Sequence, residues 1–332
     1  MNPDPARARH IAAAAELACL LEVSAPKPGN VSPGRHFGDL RYEDFLASAV
    51  AIGGPLTGVA ERPLGATIRL AVEATAGWAP SNTNLGLVLL LAPLARAAQN
   101  DTRPLFLANQ KDTRPLFPAI SAQNSGVSAR DTSPKEMTPD PFLRAAVREV
   151  LEATTVADAR EVYAAIRLAA PGGLGQVAAQ DVAGEPRVTL LEAMRLSADR
   201  DGIAREYATA FATTFQIGTP ALDRARLDGL SWDLAIVEAF LTLLAAAPDT
   251  HIARRGGHAA AGDATDRARA ALDAGGVRTE AGRRAIDEMD RALRDDRHIR
   301  SPGTTADLTA AAIFVSLLGG GWAGASGDAR HA

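Results

Sequence analysis

Alanine and leucine recur through this chain at three- and four-residue spacing, and alternation of apolar and polar residues with period two is almost absent. That pattern allows a chain to bury apolar stripes of helices and gives it little with which to build a sheet. It predicts helices over about 5–22, 42–51, 64–78, 83–98, 141–153, 156–169, 199–215, 230–247, 263–274, 280–294 and 306–318. In the first of these, Ile11, Leu17, Leu20 and Leu21 share one side. Asn82, Thr155 and Asp263 are placed to act as N-caps, and Pro141 suits a first helical turn. The one doubtful strand, 187–191, is short. Aromatic residues are 5% of the chain. The expected fold is therefore all-α, a single multi-helix bundle domain spanning 1–332 with Gly/Pro-rich polar loops forming the site.

The helical spacing fails between 99 and 140. Asp-Thr-Arg-Pro-Leu-Phe occurs at 101–106 and again at 112–117, amid Asn, Gln, Ser and Pro. A local duplication in a polar stretch predicts a disordered insertion, and two copies of six residues are too few for a solenoid.

The formal net charge of −4 over 332 residues argues against a general nucleic-acid binder. The single cysteine, Cys19, lies among Ala18, Leu20 and Leu21, reads as a buried packing residue and fits a reducing, cytoplasmic setting. The N-terminus carries charges and prolines in place of an apolar signal core. Residues 308–325 hold no charge, but the three glycines at 319–321 favour a buried helix with a tail over a membrane span.

Five polar islands between the helices carry the chemistry. The first, 22–40, has Pro26, Pro28 and Pro33 to stiffen it and Gly29 and Gly34 to let backbone approach a ligand. Of the chain's 35 cationic residues only three are lysine, and Lys27 is the one outside the expected insertion. Its compact ammonium suits a phosphate oxygen. Asn30, Ser32 and His36 are further polar candidates, and Asp39 suits a magnesium ligand, a base or a helix cap. The second island, 81–86, sets Asn82, Thr83 and Asn84 before a long apolar helix, where free N–H groups and the dipole favour an anion. The third, 171–175, is Pro-Gly-Gly-Leu-Gly, followed by Asp181. In the fourth, 248–257, His251 and Arg255 share a helix face, and Arg254 or Arg255 offers a bidentate fork to phosphate. The fifth, 301–308, supplies Ser301 and Thr304 and sets Asp307 at the start of an apolar helix, a place for dipole compensation or a magnesium-bound acid. Neither a P-loop nor a Cys-His cluster occurs.

Taken in order, Ser-Ala-Pro-Lys-Pro-Gly at 24–29, Asn-Thr-Xaa-Xaa-Gly at 82–86, Pro-Gly-Gly-Leu-Gly and the terminal Ser-Pro-Gly-Xaa-Xaa-Ala-Asp at 301–307 resemble the triphosphoribosyl-dephospho-CoA synthase family. The resemblance covers nearly the whole chain outside 99–140. It implies an all-helical transferase that joins C1′ of ATP to the 2′-hydroxyl of 3′-dephospho-CoA, releasing adenine, with the product passing to an acyl-carrier subunit downstream. ATP is then a substrate and Mg²⁺ its cofactor, and the partners are small nucleotides, with neither nucleic acid nor membrane. The phosphates fall to Lys27, Arg254 and Arg255. Asp39, Asp181 and Asp307 become candidates for metal or base, and Asn82 and Asn84 for ribose or phosphate.

The citrate-lyase branch of that family has His and Lys where this chain has Asn84 and Leu85. The change admits a different acceptor, as in pterin-type one-carbon cofactor synthesis. A metal-dependent hydrolase of ADP-ribose-like compounds and an inactive nucleotide-binding protein are the remaining readings.

Overall fold

The computed structural model describes residues 4–79, 83–101, 141–171, 181–295 and 297–322. Helices α1 (Pro5–Ser24), α2 (Tyr42–Ala51), α3 (Gly53–Thr57), α4 (Leu64–Ala76) and α5 (Leu85–Asn100) form the first half. After the region that holds the repeated hexapeptide, which lies outside the described residues, come α6 (Pro141–Glu152), α7 (Val156–Ala169), α8 (Leu190–Arg195) and α9 (Gly202–Thr209). A π-helical turn, Thr214–Gly218, leads into α10 (Thr219–Leu227) and α11 (Trp232–Ala246), then α12 (Thr250–Gly256), α13 (His258–Asp273), α14 (Glu280–Leu293) and α15 (Gly303–Leu318). The fold is all-α, and among the described residues the only bridges pair Ser32 with Arg35 and Phe37 with Leu40 in the first island.

Most of the buried apolar residues form one continuous cluster. α5 and α15 run through its middle and are buried on nearly all sides, which is why their sequences lack a polar face. α1 packs on both, and its Cys19 is a 4% exposed packing residue whose thiol is pushed up by burial. Among the described residues no single helix is long and apolar enough to cross a membrane.

One contact sets α9 against α5. Pro93, inside α5, has no N–H to offer the Leu89 carbonyl four residues back. The buried Tyr207 hydroxyl of α9 donates to that carbonyl at 2.7 Å, so the gap in one helix becomes the anchor of another.

Several expected boundaries move. A helix over 199–215 is interrupted because Ala210 and Phe211 take positive φ (48° and 58°). The fully buried Glu206 carboxylate accepts from the N–H groups of Thr213 and Thr214 and from the Thr214 hydroxyl, which folds the chain back on itself. The doubtful strand at 187–191 is a cap: the Thr189 side chain and Glu192 form a capping box that starts α8. Asp263 lies inside α13, which begins after Gly257, and there it pairs with Arg267. Asp307 stands four residues into α15, since Gly303 can open the helix without a side chain. α5 continues through Asn100, past the expected start of the insertion. Thr155 caps α7 and Pro141 opens α6, as their residue types predict.

Candidate active site

A cavity of about 800 Å³ opens where the first, second, fourth and fifth islands meet α4, α7, α8 and α9. That is within the usual range for small-ligand sites. Its two walls differ. Val72, Val162, Ile166, Leu190 and Met194 make one side apolar, whereas the other presents acids, arginines and two histidines.

Three helices turn their N-terminal ends to the polar side. α15 arrives through Gly303 and Thr304, and α9 through Asp201, Ile203 and Ala204. α5 arrives through Thr83, Asn84, Leu85 and Gly86. The first two are capped: Asp201 accepts from Ile203 and Ala204, and Asp249 accepts from the Thr305 N–H. The N-cap of α5, Asn84, makes no capping bond with its side chain, and the Asp307 carboxyl stands beside Gly86 in the first turn of that helix. The Asn84 amide instead donates to the Thr75 hydroxyl at 2.8 Å and to the Ser48 carbonyl, tying α5 to α4 and α2. Thr83 likewise bonds Ser48. Asn82 lies outside the described residues.

Asp249 organises the opposite corner. It is 2% exposed and accepts from the Ile252 N–H at 2.9 Å and from the Thr305 N–H and hydroxyl, each at 2.7 Å. One carboxylate thereby caps α12 and α15 together, and Thr250 meets Thr304 at 3.1 Å beside it. The missing side chain at Gly303 leaves room for the His251 ring: a Cβ there would lie 2.1 Å from His251 Nδ1.

Arg254 pairs with Asp201 at 2.6 Å. Arg255 donates to His298 Nδ1 (2.8 Å) and to the Arg297 carbonyl (3.0 Å), so its guanidinium rests on neutral acceptors. Because arginine can only donate, His298 Nδ1 carries the lone pair and Nε2 the hydrogen, which is given to Asp39 at 3.0 Å. His298 takes a φ of 40° and packs its ring on Phe37. The hydrogen bond from His298 holds the Asp39 carboxyl below its ordinary value.

Lys27 is not on the wall. It is fully buried, folded back over the C-terminus of α1, where it donates to the carbonyls of Glu22 and Ala25 and pairs with Glu22 Oε1 at 3.0 Å. Glu22 does face the cavity. Burial pushes its carboxyl up and Lys27 pulls it back. Asp307, partly exposed to the same cavity, is pushed well above the ordinary carboxylate range by burial and then by Glu22, Asp249 and Asp201. Arg254 acts the other way without cancelling it. Gly86 makes Asp307's position possible, since a Cβ there would stand 1.9 Å from Asp307 Oδ2.

Of the remaining expected residues, Asn30 and Ser301 line the cavity. Gly29 (φ 75°) lies against Leu293 and gives its N–H to Asp290, Ser32 is buried in its bridge with Arg35, and His36 is exposed. Asp181 lines the cavity at the α7–α8 side, where it accepts from the Ala183 N–H. Among the described residues no group of three or more His, Cys, Asp or Glu is arranged to hold a metal ion, so Asp39, Asp181 and Asp307 do not form one metal-holding set. His298, Glu22 and Asp201 were not singled out from the sequence. His298 stands three residues before the fifth island in a chain with six histidines, and that proximity was the available signal.

The protein is thus an all-helical bundle around a two-sided cleft, with Arg254, Arg255 and the N-terminal ends of three helices on one side. The chain belongs to the ATP:dephospho-CoA triphosphoribosyl transferase family, whose model matches residues 8–326. It is 39% identical over 127 residues to a Pseudomonas aeruginosa protein named "Probable 2-(5''-triphosphoribosyl)-3'-dephosphocoenzyme-A synthase", covering 37% of this chain and 43% of that one. A Pseudomonas fluorescens protein of the same name is 35% identical over 120 residues, covering 36% and 40%. The matched stretch therefore spans less than half the length of these curated relatives. A crystal structure from Archaeoglobus fulgidus, whose name proposes a triphosphoribosyl-dephospho-CoA synthase, shares the fold. Its TM-score is 0.55 at 24% identity, over 83% of this chain and 99% of that one.

Proposed function

We propose that this protein transfers the triphosphoribosyl group of ATP from adenine to the 2′-hydroxyl of 3′-dephospho-CoA. Family membership and the two-sided cavity support this reading. The observation that carries it is the placing of Arg255, whose guanidinium rests on the His298 ring and the Arg297 carbonyl, on one wall with Asp307, whose carboxyl burial pushes well above the ordinary carboxylate range. A phosphate chain supplies the carboxylate-like oxygens that Arg255 lacks, and Arg254 exchanges part of its hold on Asp201 for the same anion. The apolar wall takes a nucleobase or the pantetheine arm.

In the chemical step the acceptor oxygen bonds to C1′ as the C1′–N9 bond breaks. The ribosyl centre passes through an oxocarbenium-like state that ionised carboxylates stabilise. Adenine departs more easily when protonated, and Asp307, whose carboxyl burial pushes well above its ordinary range, is the group suited to give that proton. Magnesium would enter as the counter-ion of ATP, held by phosphate oxygens; among the described residues no group of three or more His, Cys, Asp or Glu is arranged to hold it. We read the chain as one domain acting in the cytoplasm, in keeping with its single cysteine.

Adenine release tests the reading. Protein with ATP and magnesium is followed by chromatography with and without 3′-dephospho-CoA. Adenine that appears only with the acceptor is expected, and ATP binding with no adenine would reject this acceptor. A second reading, transfer to a hydroxyl of a pterin-type acceptor, has one observation in its favour: Asn84 and Leu85 stand on the cavity wall where the citrate-lyase branch of the family carries His and Lys.

A further inference from the structure

His251 is a neutral imidazole placed in the cavity wall, its ring without a hydrogen-bond partner among the described residues. It lies on the first turn of α12 and occupies the space left open by Gly303. No side chain or backbone group among the described residues hydrogen-bonds either ring nitrogen. The groups that face it are Arg254 and Arg255 from its own helix and His298 from the loop before α15. Asp249, the N-cap of α12, has both oxygens taken by Ile252 and Thr305. Asp39, the other basic group at this end, is taken by His298.

We propose that His251 accepts the proton of the acceptor hydroxyl, and that it becomes able to do so when substrate phosphates occupy the two arginines beside it. This rests on the transfer reading above. Burial, followed by Arg254, Arg255 and His298, pushes the free imidazole down to about 3. An unliganded site thus holds a base too weak to work. A triphosphate laid against both arginines cancels the charges that depress it and raises its proton affinity at the moment a base is needed. The hydroxyl proton passes to the imidazole, the oxygen bonds to C1′, the C1′–N9 pair leaves on adenine, and adenine takes the proton of Asp307. The turnover ends with His251 protonated and Asp307 ionised, and solvent exchanges the one proton between them. Two titratable groups driven in opposite directions on one wall are the mark of an acid and a base with separate tasks.

The test uses the full chain with labelled histidine, titrated by NMR with and without inorganic triphosphate. The His251 midpoint should rise by two pH units or more, about a hundredfold in proton affinity, when triphosphate binds. A midpoint that stays in place with triphosphate bound overturns the proposal, as does failure of triphosphate to bind. In the adenine assay, His251→Ala should lower kcat by about 10²–10⁴-fold and lose the acid limb of its pH profile, with part of the rate restored by added imidazole. Wild-type turnover by His251→Ala with that limb intact overturns the proposal. No adenine from the unaltered protein would sink the transfer reading itself, a failure distinct from adenine release that is indifferent to His251.

Discussion

The Lys27 ammonium lies 3.0 Å from Glu22 Oε1, and the two side chains are 0% and 6% exposed. The lysine that the first island presents as a phosphate ligand is spent on pairing with a carboxylate of the cavity wall. Lys27→Met keeps the aliphatic stem and strands that carboxylate, which should cost about 3–5 kcal/mol in urea unfolding. Adding Glu22→Gln to the same chain should recover most of the loss. An unchanged urea midpoint for Lys27→Met would show that the pair does not hold the fold.

Gly86→Ala separates position from stability. The new methyl would meet Asp307 Oδ2 and, at 2.8 Å, the tip of Ile203. Helix propensity favours alanine by about 1 kcal/mol, so the melting temperature should change little. Displacing the acid by about an ångström should lower kcat by about 100-fold. Full activity in this variant would mean Asp307 need not sit where it does.

Asp249→Ala removes the carboxylate shared by α12 and α15. It leaves the buried N–H groups of Ile252 and Thr305 without acceptors, and about 3 kcal/mol of stability should go with it. Hydrogen exchange should quicken first at Ile252 and Thr305. Global unfolding with no local signature there would argue against the shared cap.

Asp223 of α10 carries a pH signature. Burial pushes its carboxyl up from 3.8 to about 6, although Ser316 donates to it at 2.5 Å. A raised carboxyl pKa means the native state binds the proton more tightly than the unfolded chain. The group therefore begins to destabilise the fold as pH rises past about 4, and its full penalty, roughly 3 kcal/mol, is in place above about 6. Asp223→Asn should raise the melting temperature at pH 7 and flatten its decline between pH 4 and 6. An identical slope in both proteins would assign that decline elsewhere.

Tyr207→Phe should cost about 1–2 kcal/mol, because the Leu89 carbonyl loses its donor. In a Pro93→Ala background the helix regains its own N–H at residue 93, and the same substitution should cost clearly less. Equal losses in both backgrounds would show that the two residues are not coupled.

The helical class was legible because spacing is local. Each alanine-rich segment announces its own apolar stripe, and Thr155 and Pro141 mark helix starts by chemistry that acts within one turn. Segment 199–215 misled because its break depends on the buried Glu206 carboxylate turning back to bond Thr213 and Thr214, which no spacing records. The site was legible in part for the same reason. Polar islands between apolar helices must lie at helix ends, and helix ends gather where a bundle leaves a cleft, so Asn30, Thr83, Asn84, His251, Arg254, Arg255, Ser301, Thr304 and Asp307 all reach one cavity.

What the sequence by itself determined is therefore the all-helical architecture and the order of its polar loops, both properties of short windows. The tertiary structure decided which side chain each loop spends on holding the fold and which it offers to a ligand. Gly29 meets Asp290, and His298 meets Asp39, across about 260 residues of chain in each case. Burial and charge pairing across such separations turned Lys27 inward, kept Asp39 and Asp181 from sharing a metal-holding set, and brought His298 and Glu22 to the cavity. Those effects depend on what packs against a residue, and only the folded chain brings those neighbours together.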